Sequence, residues 1–137
     1  MPARQRGAEI VEFIITLPVV LIVLAIIFDF GAALSDQAIL TTATRASAIE
    51  VIRGATDAEA QQAADRVTQH LLSLETGDPL PTVNVVPDEL TRAGADPGNQ
   101  ITVTINHVYN YYLIPAFLAG FASLNLSATT VMNMLPN

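Results

Sequence analysis

The sequence predicts an α+β protein, in which a long N-terminal helix and a second helix pack against a small antiparallel sheet of about three strands. Three observations predict this fold. An uncharged apolar run covers residues 13–28, helical spacing of apolar residues continues beyond it, and alternation of apolar and polar residues begins only in the last third of the chain. A sheet with one apolar face needs a cover, and the two helices are the available layer.

The apolar N-terminal stretch, residues 13–34, has about the length of one bilayer-spanning helix. Arg4 and Arg6 precede it and Asp29 is the first charge within it, so the rule that arginine flanks stay cytoplasmic predicts an extracytoplasmic C-terminal domain. Two alternatives are a cleaved secretory signal, whose apolar core is shorter, and a plain signal anchor. Neither explains a carboxylate, Glu12, at the start of the apolar run.

The first helix is expected to continue past the membrane, because residues 32–53 contain no proline and no glycine and place apolar residues on one stripe. It is predicted to run from Ala8 to Arg53, about 69 Å at 1.5 Å per residue. Gly54 gives a stop signal and Thr56-Asp57 an N-cap, so a second, amphipathic helix is predicted over 57–74.

Three later segments alternate like strands: residues 82–86, 100–106 and 124–134. Turn residues in 87–99 predict a hairpin with a long loop between the first two. The aromatic stretch from Tyr109 to Phe121 contains Pro115 and is expected to break the second strand. Two interpretations of this stretch stay open, as cover for the core or as a surface for a partner.

Composition excludes several classes of function. The 137 residues carry a net charge of −7 with no lysine, which argues against nucleic acid as a partner. The absence of cysteine removes disulfides and thiolate chemistry. His70 and His107 lack carboxylates at metal-ligand spacing, and no nucleophile, phosphate-loop or acid/base motif is present. We therefore expect no enzyme activity, no cofactor and no metal, with a calcium site in the 87–99 loop as the open alternative.

The N-terminus resembles a known family. Arg6-Gly7, the segment Ala8-Glu9-Ile10-Val11-Glu12-Phe13 and an apolar helix containing Pro18 are similar to type IV pilin-like precursors. Within that superfamily, Leu17-Pro18, Phe30-Gly31 and a terminal strand with Leu126-Ser127-Ala128-Thr129 resemble the TadE-like minor pilins of tight-adherence (Tad, or Flp) pilus systems. The resemblance covers the first fifty or so residues strongly and the last strand more loosely.

This resemblance implies a division into a prepilin leader (1–7), a transmembrane half of the long helix (8–34) and an extracytoplasmic pilin-like domain (35–137). A prepilin peptidase is expected to cleave between Gly7 and Ala8. Glu12, followed by Phe13, is expected to guide processing or assembly by pairing with the N-terminal amine of a neighbour; the alternative is an ordinary carboxylate stabilised by the helix dipole. Pro18 is expected to kink the helix.

The implied function is that of a minor pilin, which contributes to the priming, assembly or tip of a pilus used in surface adhesion. The outer domain is larger than that of the major Flp pilins, which favours a minor subunit.

The implied partners are the prepilin peptidase, other minor pilins, the major Flp pilin, the inner-membrane assembly platform and membrane lipid. The implied location is the bacterial inner membrane with a periplasmic domain, and the extracellular pilus after assembly. The alternative is a membrane-anchored accessory protein that never enters the filament.

Overall fold

The computed structural model describes residues 3–71, 80–92, 99–111, 113 and 123–134. Their order confirms the predicted α+β arrangement of a long apolar helix, a second helix and a three-stranded antiparallel sheet. The elements are α1 (Ala3–Ile52), α2 (Asp57–Thr68), β1 (Val83–Val86), α3 (Glu89–Arg92), β2 (Gln100–Asn110) and β3 (Ser123–Asn133).

The first helix, α1, has 50 residues and is about 75 Å long at 1.5 Å per residue. Its end is close to the predicted one, because Gly54 adopts a left-handed conformation with φ of 88°. The amide of Gly54 donates to the carbonyl of Val51, and the amide of Ala55 donates to the carbonyl of Glu50, both at 3.0 Å. This bond pair is the Schellman arrangement, which satisfies carbonyls that the last helical turn leaves open.

The second helix starts at the predicted N-cap. The Thr56 hydroxyl accepts from the amide of Glu59, and the Glu59 carboxylate accepts from the amide of Thr56. This reciprocal pair is a capping box. The predicted extension to Leu74 is wrong within the described residues: α2 ends at Thr68, and two turns with i→i−3 bonds lead to Leu71, which is buried. Residues 72–79 lie outside the described residues.

The sheet has the order β1-β2-β3, with both pairs antiparallel. The expected break of the second strand after residue 106 is wrong, because β2 continues to Asn110 and stays paired to β3 along its length. The alternation of the strand carries on: Tyr109 is fully buried, whereas Val108 and Asn110 are exposed. The long connection between β1 and β2 contains the short helix α3, which its turn residues did not predict.

One stripe of α1 carries the contact with the sheet domain. Its buried residues recur at spacings of three and four: Asp29, Ala33, Asp36, Leu40, Ala43, Ser47 and Val51. Ser47 also bonds α2, since its hydroxyl donates to the carbonyl of Ala60 at 2.8 Å. The predicted cover of the sheet by both helices is therefore confirmed, and the outer half of α1 is part of the domain.

The strand β3 runs alongside α1 in the same direction. Leu126 belongs to the buried cluster that contains Ala33 and Leu40. Met132, nearer the end of β3, packs against the cluster that contains Val51. The loop end of the β2–β3 hairpin, at Asn110 and Ser123, is consequently the end nearest the apolar half of α1, residues 8–28.

Candidate functional site

The apolar half of α1 lies outside the domain core. Among the described residues α1 alone is long and apolar enough to cross a membrane, and none of its most apolar 18-residue window is buried. All but one of its large apolar side chains from Ile10 onward are between 42% and 67% exposed, and Ile22 is partly buried. The exposed ones are Ile10, Val11, Phe13, Ile14, Ile15, Leu17, Val19, Val20, Leu21, Val23, Leu24, Ile26, Ile27 and Phe28. A continuous apolar surface of this size marks contact with lipid or with other proteins.

The predicted cleavage position is at the start of this half. Gly7 is exposed, and a Cβ placed on it would meet no atom within 4 Å. The chain's own packing thus gives no steric reason for glycine, although a glycine inside a helix costs about 0.5–1 kcal/mol relative to alanine. A requirement for glycine here has to come from something outside the folded chain. The side chain of Ala8 lies outside the described atoms.

Glu12 and Phe13 are both exposed on α1, one turn after Ala8. Within the part of the chain that the structure describes, the Glu12 carboxylate has no hydrogen-bond or ion-pair partner. Glu9 is also exposed, one turn closer to the helix start. The protomer leaves both carboxylates open to other molecules, and only Glu12 matches the position that the resemblance singles out.

Pro18 lies inside α1, and the helix is continuous through it. Because proline has no amide hydrogen, the carbonyl of Ile14 loses its usual donor four residues on. The apolar half therefore contains one backbone carbonyl that a lipid-facing helix cannot satisfy by itself. The kink expected at Pro18 stays a prediction.

Two further carboxylates, Asp29 and Asp36, are fully buried against the outer domain. The amide of Leu113 donates to Oδ2 of Asp29 at 2.9 Å, which ties the chain after β2 to α1. Sequence reasoning treated Asp29 as the first charge beyond the apolar run and missed its burial. The signal was present, since Asp29 and Asp36 fall on the same three-and-four spacing as Ala33 and Leu40.

The acidic residues considered for calcium serve other roles. Arg92 is buried, forms an ion pair with Asp57 and donates to the carbonyl of Pro87. Glu89 accepts from the amide of Asp57, and Asp88 accepts from the amide of Thr91 at 3.0 Å. No group of three or more metal-ligating side chains is found in the described part of the chain. Asp96 lies outside it.

Hydrogen bonds to the capping groups change the acidity of two carboxyls outside the membrane-spanning half. Bonds from the backbone and side chain of Thr56 hold the pKa of Glu59 below its ordinary value. Bonds from Thr91 hold the pKa of Asp88 below its ordinary value, with Arg92 adding a small attraction. These carboxylates stabilise the starts of α2 and α3.

The aromatic stretch is described only in part. Tyr109 is in the core, and its ring meets that of Tyr111 edge to face, with centroids 5.7 Å apart. Leu113 is exposed. The choice between core and partner surface is settled as core for Tyr109, whereas residues 112 and 114–121 lie outside the described residues.

A comparison with protein-family models shows what the N-terminal helix resembles. Residues 7–48 match the family described as TadE-like protein. The N-terminal helix is similar to the TadE-like family over these residues. The TadE-like match begins at Gly7, lies wholly within α1 and includes both the apolar half and most of the half that packs on the domain. This confirms the resemblance predicted from the sequence.

The TadE-like family is associated with Tad pili and is not a known enzyme family. No curated protein and no solved structure matches the chain significantly. The match over residues 7–48 suggests an association with Tad pili, and the apolar helix found in the described part of the chain is compatible with a single-pass membrane anchor.

Proposed function

We propose that this chain is a minor pilin of a Tad pilus, made as a precursor and cleaved by a prepilin peptidase between Gly7 and Ala8. In this role it contributes to the priming, assembly or tip of a pilus used in surface adhesion. The observation that carries the proposal is the TadE-like match over residues 7–48, which starts at the proposed cleavage glycine and contains Glu12. The exposed apolar half of α1 supplies the surface that such a subunit needs.

Before assembly, the chain is held in the inner membrane by residues 8–34, with its N-terminus cytoplasmic and its outer domain periplasmic. The arginines at positions 4 and 6 support this orientation. An ionised carboxylate near the bilayer centre costs about 2.5–3.5 kcal/mol on insertion scales, and less near the surface. Glu12 is close to the helix start, so its carboxylate stays near the headgroups in a lone subunit.

Cleavage after Gly7 would create a new ammonium group at Ala8. An ammonium and a carboxylate that are buried separately each cost several kcal/mol, and pairing offsets much of that cost. Ala8 and Glu12 are four residues apart, about 6 Å along the helix at 1.5 Å per residue. The amine of one subunit therefore meets Glu12 of a neighbour when the two helices are offset by about 6 Å along their axes.

The expected neighbours are other minor pilins, the major Flp pilin and the inner-membrane assembly platform. The large apolar side chains between Ile10 and Phe28 are open to lateral helix packing, and the described part of the domain does not cover them. Lateral packing would also give the free Ile14 carbonyl access to donors on adjacent helices.

Processing is tested by intact mass and N-terminal sequencing of the protein from a host that has the peptidase. We expect a chain that begins at Ala8, with or without methylation of its amine. Recovery of the chain only in the form that begins at Met1 would contradict the proposal.

The role of Glu12 is tested by Glu12→Ala, with Glu9→Ala as the matched control because Glu9 is also exposed on the same helix. We expect both variants to enter the membrane and only Glu12→Ala to be lost from sheared pili. Normal incorporation of Glu12→Ala into pili would contradict the pairing role. The interaction with the helix dipole would then be the remaining explanation for Glu12. A mature wild-type chain that never occurs in pili would point to the accessory protein instead.

A further inference from the structure

The base of the outer domain carries exposed apolar side chains from three parts of the chain. Phe30 and Leu34 lie on α1 and are 59% and 57% exposed, Leu113 follows β2 and is 49% exposed, and Leu124 lies on β3 and is 36% exposed. We call these four residues the base collar. Residues from α1 and from the sheet side of the domain thus expose apolar surface at the same end of the molecule.

Two hydrogen bonds fix the level of the collar along α1. The amide of Leu113 bonds Asp29, which places Leu113 beside the end of the apolar half. Gln37 donates to the carbonyl of Ser127 at 2.8 Å, which places Ser127 level with Gln37. Leu124 is three residues earlier on β3, about 10 Å lower. That distance equals six or seven residues of helix, so Leu124 lies near the level of Phe30.

The surface of α1 exposes no charge from Phe13 to Thr44, because the two charged residues in that range, Asp29 and Asp36, are fully buried. The first exposed charge after Glu12 is Arg45. These 32 residues span about 48 Å. The hydrocarbon core of a bilayer is about 30 Å thick, and about 40–45 Å with the headgroup layers. The uncharged surface is long enough to pass through the hydrocarbon and the outer headgroup layer.

We propose that the base collar is seated in the headgroup layer of the same bilayer that α1 spans, so that the outer domain rests in the membrane surface instead of standing clear of it. This inference relies on the membrane anchoring in the proposed function. Lipid is the occupant that the structure favours, because the collar continues directly from the exposed apolar half at Phe28. Because Asp29 is buried and accepts from the amide of Leu113, its carboxylate does not face lipid at this level.

The test uses single cysteines in the full chain, which has none of its own. Leu113→Cys and Leu124→Cys place an environment-sensitive fluorophore in the collar. Val86→Cys and Val131→Cys are matched controls at the far end of the sheet, where the side chains are 58% and 53% exposed. Leu24→Cys reports on the membrane anchor itself. All five positions are exposed, so the substitutions leave the core intact.

Each labelled chain is reconstituted at high lipid excess into vesicles of phosphatidylethanolamine and phosphatidylglycerol. Quenching is then compared for a headgroup-attached nitroxide and for aqueous iodide. We expect the nitroxide to quench the two collar positions several-fold more than the two control positions, with the opposite order for iodide. Adding Leu34→Asp to the Leu113→Cys chain should lower its nitroxide quenching, whereas adding Thr129→Asp should not.

Equal quenching at the collar and control positions would overturn the proposal. If the Leu24→Cys label is still protected from iodide in that case, the membrane anchoring itself stands. Strong nitroxide quenching at all four domain positions would mean that the domain lies flat on the membrane, which also overturns it. Protection of the collar that vanishes as protein is diluted in lipid would show that sister subunits cover it. A Leu24→Cys label accessible to iodide would overturn the membrane anchoring in the proposed function.

Discussion

Leu40→Ala should destabilise the packing of α1 on the sheet, because Leu40 is fully buried on the stripe of α1 that contacts the domain. It belongs to one cluster with Ile105, Tyr109 and Leu126, which come from β2 and β3. Removal of a buried leucine side chain leaves a cavity and costs about 2–5 kcal/mol. Typical domains have only about 5–15 kcal/mol of stability in total, so the loss is a large share.

The measurement is urea unfolding of the full chain in detergent micelles, followed by near-ultraviolet circular dichroism. The chain has no tryptophan and three tyrosines, and Tyr109 is in the same cluster as Leu40, so the signal reports on this core. A loss of about 3 kcal/mol should lower the urea midpoint by on the order of 1–3 M, since small proteins have slopes of about 1–3 kcal/mol per M.

Leu34→Ala is the control, because Leu34 is on the same helix but exposed. Its effect should stay within about 0.5 kcal/mol, as for most surface substitutions. If Leu40→Ala costs no more than Leu34→Ala, the outer half of α1 is not part of the domain core and the reasoning is wrong.

Two further predictions concern charge and backbone. The pKa values of Glu59 and Asp88 lie below their ordinary 4.5 and 3.8 in the folded state, so their stabilising effect is complete above those values and is lost as pH falls through the lower, folded pKa values. The urea midpoint should therefore fall as pH drops below about 4.5, and less steeply in Glu59→Gln. Gly54→Ala should cost about 1 kcal/mol because of the left-handed backbone, whereas Gly31→Ala, in a helical conformation with equal space, should not destabilise in the same unfolding assay.

The sequence predicted a structural feature correctly where the residues that determine it lie within one short segment of the chain. The end of α1 follows from Gly54, and the start of α2 follows from Thr56 and Glu59, because capping involves residues three positions apart. Alternation placed β1, β2 and β3, and the covering of one face by the helices follows from the need to bury it. The candidate cleavage and assembly residues were found by resemblance, and their roles stay predictions.

The errors arose where residues distant in sequence decide the local structure. Pairing with β3 carries β2 on to Asn110, although the aromatic sequence after Asn106 indicated a break. The helix α3 is stabilised by contacts with the start of α2, where Arg92 meets Asp57 and Glu89 accepts from the Asp57 amide. Neither partner could be assigned from spacing along the chain.

The buried aspartates, Asp29 and Asp36, show the same effect of distant residues in the region that bears on the proposed function. Read along the sequence, Asp29 is a charge inside the predicted membrane segment 8–34, where an exposed carboxylate would be costly. The structure buries it with an amide donor 84 residues away, at Leu113. Under the proposed anchoring, lipid would meet the exposed surface, whose first charge beyond Glu12 is Arg45. In the proposed seating, the depth of the domain in the membrane is set by this long-range contact, and the uncharged surface extends about three turns of helix past the predicted boundary at Leu34.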